Sequence, residues 1–310
     1  VYHNATAYTL LPTQGRPGYT RKFINMYLKK DGTAFTDQEG WQTLPFTEEV
    51  KDRDPRLAQS IRTPGYKRIG AKRVQGPDLG VTITGYQPIK FVQDTTASGG
   101  QIDRNDRSTC DMPVFRYAEV LLNYAEAKAE LGSLSPDDLN ITINEIRSRV
   151  GMPALTMRDL DKQPDWYLSS EEYGYPNVTG SNEIVNAILE IRRERAIELL
   201  LEGRRYDDLM RWHLGGLLNK QWYGIYIGEV DKAYDLNNDG VNDVCVTDKA
   251  GSEPGVKYIV RNSERALEDG ASGRLVYNLQ RYFNEQRYVH PIPKTALDKN
   301  PDLGQNVAWK

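Results

Sequence analysis

The stretch Asp235-Leu236-Asn237-Asn238-Asp239-Gly240-Val241-Asn242-Asp243 carries the most specific chemistry in the sequence. Oxygen donors fall at loop positions 1, 3, 5 and 9, a glycine stands at 6, and the Val241 carbonyl occupies 7, the spacing of a calcium loop. Position 12 is Val246, where a bidentate Glu belongs, so Asp248 or a residue from elsewhere must complete the shell. A hairpin whose Asp239-Gly240 tip supplies the positive-φ turn fits equally well. Ca2+ held by Asp235, Asn237, Asp239, Val241 and Asp243 is therefore one of two expectations for this loop.

Other reactive patterns are weaker. Glu190, Glu194, Glu198 and Glu202 stand four apart, a like-charge column that costs a few tenths of a kcal/mol per pair if left bare. Arg192, Arg193 and Arg195 interleave with it, and Arg204, Arg205, Asp207, Asp208 and Arg211 follow on the next helix. We read this as an interhelical ion-pair network that fixes docking, not as catalysis. His3, His213 and His290 lie far apart, and H-E-x-x-H, G-x-S-x-G, the phosphate-binding loop and C-x-x-C are all absent from the sequence. A glycosidase built on two carboxylates needs no such motif and stays open as an alternative, although 43 acids give any such pair little specificity.

Aromatic usage allows ligand capture, although each ring taken alone reads first as a core or rim residue and only a cluster on one surface would favour a sugar site. Nineteen Tyr and five Trp far outnumber six Phe, so polar-tipped rings dominate, and these suit half-exposed faces on which a sugar stacks. Trp41, Tyr66 and Tyr86 in the loop-rich first third are the expected stacking platforms. Trp166 and Tyr175 are further candidates in an irregular insert.

The elements that must position these residues follow from composition and period. At 310 residues the chain can bury a sizeable core. Its net charge of −3 shows no basic stripe, which argues against nucleic acid as a partner. No strictly apolar run is longer than Leu199-Leu200-Leu201, far short of the ~20 residues a membrane helix needs. Cys110 and Cys245 leave open whether they are joined.

Residues 1–113 read as long loops with short strands, Val81–Thr84 among them, and one helix near Tyr19–Lys29. From Pro113 a 3.6-residue period takes over: Val114, Tyr117, Ala118, Leu121, Leu122, Ala125 and Ala129 form a stripe that Gly132 stops. Ser135, Pro136 and Asp138 make the start of a second helix, whose stripe runs Leu139, Ile143, Ile146 and Val150. So short a connection forces an αα-hairpin over 114–151. A second pair is expected over 183–214. Residues 215–310 read as loops and short strands closing in an extended, proline-bearing tail. The expected fold is mainly α, with tetratricopeptide-like αα-hairpins carrying long loops and short β-strands. A third pair is usually needed to close such a stack.

The motifs resemble those of the SusD/RagB outer-membrane nutrient-binding lipoproteins of Bacteroidetes. Arg116-Tyr117-Ala118-Glu119-Val120-Leu121-Leu122-Asn123-Tyr124-Ala125-Glu126-Ala127 looks like one signature helix of that family. Ile191-Arg192-Arg193-Glu194-Arg195, through Glu202-Gly203-Arg204-Arg205-Tyr206-Asp207-Asp208-Leu209 to Arg211-Trp212, looks like its second. Lys30-Asp31-Gly32, Arg53-Asp54-Pro55-Arg56-Leu57, Pro291-Ile292-Pro293 and Asn300-Pro301 with Gln305-Asn306 match in order. The usual closing Gln-Asn-Pro-Gly-Trp appears as Gln305-Asn306-Val307-Ala308-Trp309, a change of local turn only.

The resemblance covers about residue 20 to the end and implies the C-terminal part of a single SusD-like domain. It implies a protein on the outer-membrane surface, anchored by a lipid on an N-terminal Cys. Such a protein captures an oligosaccharide, or in some members a peptide, without cleaving it, and delivers it to a SusC-like TonB-dependent transporter. An N-terminal helical half is expected to pack on the apolar backs of the hairpins. A glycosidase and a scaffold whose helix pairs bind another protein are the competing classes.

Overall fold

The computed structural model describes residues 3–262 and 265–310. Short helices α1 (Ala5–Leu10), α2 (Arg21–Ile24), α3 (Phe46–Glu49), α4 (Pro55–Ser60) and α5 (Ala97–Gly100) punctuate the loops of the first third. The helical centre follows with α6 (Tyr117–Glu130), α7 (Pro136–Ile141), α8 (Ile143–Arg149), α9 (Met157–Leu160), α10 (Trp166–Ser169), α11 (Asn182–Glu198) and α12 (Arg204–Arg211). Strands β1 (Trp222–Ile227), β2 (Ala233–Tyr234), β3 (Val244–Thr247), β4 (Lys257–Val260), β5 (Arg265–Leu267) and β6 (Gly273–Tyr277) come next, and α13 (Lys294–Lys299) lies in the tail.

The expected mainly helical architecture is what the chain adopts, with the first hairpin in place. However, α11 packs on α6 and α9 and meets α12 chiefly through Arg195–Asp208, so the second expected hairpin is not a packed pair. Leu121, Leu122, Ala125 and Ala129 of α6 meet Leu139, Ile143 and Ile146 of α7 and α8, and Ala187, Ile188 and Ile191 of α11 close the same core. Gly132 takes φ +62° to end α6. Ser135 and Asp138 form a reciprocal capping box, the Ser135 hydroxyl accepting from the Asp138 amide and the carboxylate from the Ser135 amide.

The second helix of this hairpin is broken, against expectation. Thr142 leaves the helical region while its hydroxyl donates to the Asp138 carbonyl at 2.5 Å, a local bond that competes with the backbone ladder. Val114 and Tyr117 lie outside the stripe, 84% and 71% exposed.

The first third departs further. The helix expected over Tyr19–Lys29 is a single turn, α2. Arg53 reaches in from 26 to 29 residues away and donates to the Ile24 and Tyr27 carbonyls, which a longer helix would have used itself. Val81–Thr84 is not a strand. The Val81 and Thr82 amides turn back onto the Asp78 carbonyl, and the Thr84 carbonyl accepts one bond from Ile225 at the edge of β1.

Two small open sheets carry the C-terminal third, β1-β6-β5 all antiparallel, and β2-β3-β4 with β3 and β4 parallel. The tail is not simply extended. Pro293 precedes the short helix α13, and the Gln305 side chain both accepts from and donates to the Ile292 backbone. Cys110 and Cys245 are free thiols.

The glutamate column is paired, with Glu194 and Glu198 buried and Glu190 and Glu202 half-buried, as expected of a docking network, but its partners differ. Glu194 accepts from Arg56 at 2.8 Å and Arg147 at 2.7 Å. Glu198 takes Arg56, Arg116 and Arg149, while Glu202 takes Lys90 and Arg116. These cations come from α4, α8 and the loops, not from the following helix, whose Asp208 pairs with Arg195. Burial pushes the Glu194 carboxyl up, but Arg56 and Arg147 overrule it and hold it down at about 2.

Candidate functional site

Of the three expected platforms, two are corrected by their burial. Trp41 is 4% exposed, its ring edge-on to Phe35 and Tyr167 in the core. Tyr86 is fully buried, its hydroxyl donating to the Glu49 carboxylate at 2.8 Å beside Arg21. Rings buried this deeply have no open face to offer a sugar. Tyr66 is half-buried with the Arg62 guanidinium 5.8 Å from its centroid. Tyr175 is also enclosed, against Trp212.

The insert between α9 and α11 instead sets one exposed ring, Trp166, beside the half-buried Tyr173. Asp165 caps α10 by accepting from the Tyr167 and Leu168 amides, which presents Trp166 outward. Trp166 is 47% exposed, and its indole N–H donates to Asp37 at 3.2 Å. Tyr173 returns to stack on Tyr167, centroids 4.7 Å apart and planes 5° from parallel, with Trp166 standing edge-on to both. Trp41 lies 6.4 Å from both Trp166 and Tyr173, so a buried ring supports the two accessible ones. The return depends on Gly174, where a Cβ would fall 2.0 Å from the Leu168 carbonyl oxygen.

The cluster of rings extends onto the first sheet, where we refer to it with the adjoining cavity as the groove. Packing of α2 against β1 brings Lys22 over Tyr173, with Nζ 5.5 Å from the ring centroid, and Nζ donates to the Glu172 carbonyl. Arg274 of β6 lies 3.7 Å from the Tyr223 centroid and pairs with Glu268. Arg281 lies 4.2 Å from the Trp222 centroid. Beside these rings a cavity of about 620 Å³ opens between α2, α11, α12 and β1, with Lys22, Tyr173, Lys220 and Trp222 on its wall. Half-exposed rings edged by cations and hydroxyls can stack a sugar's C–H face and bond its hydroxyls. Trp166 was legible as a candidate. Tyr173, Tyr223 and Trp222 were not, although Trp222-Tyr223-Gly224-Ile225-Tyr226-Ile227 is itself a strand-like aromatic run.

The expected calcium residues share one loop between β2 and β3. The Asp235 carboxylate accepts from the Asn237, Asn238 and Gly240 amides, and Asn237 and Asp239 each accept from the amide two residues on. Burial pushes the Asp243 carboxyl up, and the neighbouring Asp235 and Asp239 add to that. Val246 is buried in β3, so position 12 offers no side-chain ligand. Among the described residues no group of three or more His, Cys, Asp or Glu is disposed to hold a metal.

The SusD family profile matches residues 13–309. No curated protein gives a significant match. Among solved structures, a SusD-like protein from Bacteroides fragilis is 21% identical with a TM-score of 0.57, over 94% of this chain and 46% of its own. A SusD-like carbohydrate binding protein from the same organism is 24% identical, TM-score 0.57, over 92% of this chain and 48% of its own. The chain thus spans about half the length of these structures and shares their fold.

Proposed function

The chain belongs to the SusD family, and on that premise we propose that it captures an oligosaccharide in the groove of Trp166, Tyr173 and Tyr223 and releases it uncleaved for uptake. The observation that carries this reading is the exposed Trp166 face held on a rigid stack of Tyr167, Tyr173 and Trp41. Preorganised rings of this kind bind with little loss of side-chain freedom. One of the similar structures from Bacteroides fragilis is described as carbohydrate binding, which supports the same ligand class. The partner proposed for delivery is a SusC-like TonB-dependent transporter, and the proposed location is the outer-membrane surface under a lipid anchor. Among the described residues no helix is long and apolar enough to cross a membrane.

The family signatures serve the frame in this reading. Arg56, held by Asp54, clasps α4 to α11, Arg53 ties down the Ile24 and Tyr27 carbonyls, and Arg116 reaches Glu198 and Glu202. The exposed strip of Val114, Phe115, Tyr117 and Tyr124 is the face proposed to receive the N-terminal half. A glycan array followed by affinity electrophoresis tests the function. Retention by at least one glycan with no new reducing ends is expected. Retention of none, or release of reducing ends, overturns it.

Calcium in the Asp235–Asp243 loop is part of the same proposal, as a brace for that segment. The loop holds Asp235, Asp239 and Asp243 near enough to repel, and a divalent cation would relieve this. Added calcium is expected to raise the melting temperature and chelator to reverse the rise. An unchanged melting curve removes the metal from the account.

A further inference from the structure

The groove is far more basic than the protein that carries it. The chain has a net charge of −3, yet Lys22, Lys220, Arg274 and Arg281 converge on Tyr173, Trp222 and Tyr223. They arrive from α2, the entry to β1, β6 and the segment after it, so no local sequence pattern assembles them. Two acids answer. Glu268 is committed to Arg274, and the Glu172 carboxylate lies near Tyr173, with Lys22 bonded to the Glu172 main-chain carbonyl. Among the described residues Lys22, Lys220 and Arg281 have no ion-pair partner within 4.0 Å. Arg281 donates from Nη2 to the Lys220 main-chain carbonyl at 3.1 Å, and its buried Nε and Nη1 have no hydrogen-bond partner.

The charges feel one another. Burial above all lowers the Lys22 ammonium, Glu172 opposes, and Lys220, Arg274 and Arg281 add to the fall, which ends at about 8. A neutral sugar would gain nothing from such repulsion, because hydroxyls bond as well to amides and carboxylates. An anion entering the groove relieves it, with charge-assisted bonds in a partly desolvated site.

We propose that this groove selects an anionic oligosaccharide, one whose carboxylate or sulfate groups sit among Lys22, Lys220 and Arg281 while its rings stack on Trp166 and Tyr173. The inference rests on the groove being the saccharide site, and the test separates the two.

Binding of the chain to oligogalacturonate, dextran sulfate and dextran is measured by affinity electrophoresis and calorimetry, for wild type and for Lys22→Gln/Lys220→Gln. Retention of an anionic probe at least about tenfold tighter than dextran is expected, falling about tenfold or more in the variant and weakening with added salt. Preference for oligogalacturonate assigns carboxylate, and preference for dextran sulfate assigns sulfate. Lys22→Arg/Lys220→Arg is expected to retain the preference, which a merely structural role for the two lysines would not predict. Dextran held as tightly as both anions, or anion binding unmoved in the glutamine variant with its melting curve intact, overturns the anionic inference and leaves the groove standing. Retention of none of the three, together with a blank glycan array, overturns both.

Discussion

Replacing Glu194 with alanine is expected to cost about 3 kcal/mol of unfolding free energy, read as a lower urea midpoint with an unchanged slope. The Glu194 side chain is 1% exposed and accepts from Arg56 and Arg147, each 4% exposed. Truncation leaves two guanidinium groups in the core short of a counter-ion, and an uncompensated buried charge is what makes such losses large. Arg56 keeps Asp54 and Arg147 keeps Glu190, so the cost falls at the lower end of the usual ~3–5 kcal/mol.

A pH signature accompanies the loss. The folded carboxyl sits at about 2, below the ~4.3 of an unfolded glutamate. Because the folded value is depressed, its contribution is fully present above the unfolded value and fades as pH falls toward 2. The stability gap between wild type and Glu194→Gln should therefore be widest above pH 5 and shrink on acidification. A variant as stable as wild type at pH 7 would show that the column does not hold α11 in place.

Local patterns were readable where neighbours in sequence are neighbours in space. The α6 and α11 stripes, the Ser135–Asp138 box and the four-residue spacing of the glutamate column are of this kind, although the column's partners arrive from far along the chain. What failed depends on distant arrivals. Nothing near Tyr19–Lys29 announces that Arg53 will take its carbonyls. Nothing near Tyr86 announces that Glu49 will accept its hydroxyl in the core, and Trp41 looks like any loop aromatic until Tyr167 packs against it. The same holds for the groove, whose rings and cations are drawn from residues 22, 166, 173, 220, 223, 274 and 281. Family signatures were the most legible feature of all, and they mark the clasp between α4, α6 and α11.

Trp166→Ala is expected to weaken glycan binding about 30-fold, the ~2 kcal/mol typical of a central aromatic anchor. The ring is half in solvent, edge-on to Tyr167 and Tyr173, and hydrogen-bonded to Asp37, so its loss removes a contact face at the surface without opening an enclosed cavity in the core. Tyr173→Ala should weaken binding as much and also lower stability, since the Tyr167 ring loses its stacked partner.

If stacked helical pairs are a frame and recognition lies on what protrudes from them, stability and affinity must separate. The decisive measurement is the affinity of Trp166→Ala and Glu194→Gln for the glycan that the array selects, taken beside their urea midpoints at a temperature where both are folded. We expect Trp166→Ala to lose affinity and keep its midpoint, and Glu194→Gln to lose its midpoint and keep affinity. Full affinity in Trp166→Ala, or an equal loss of affinity in Glu194→Gln, would contradict the account.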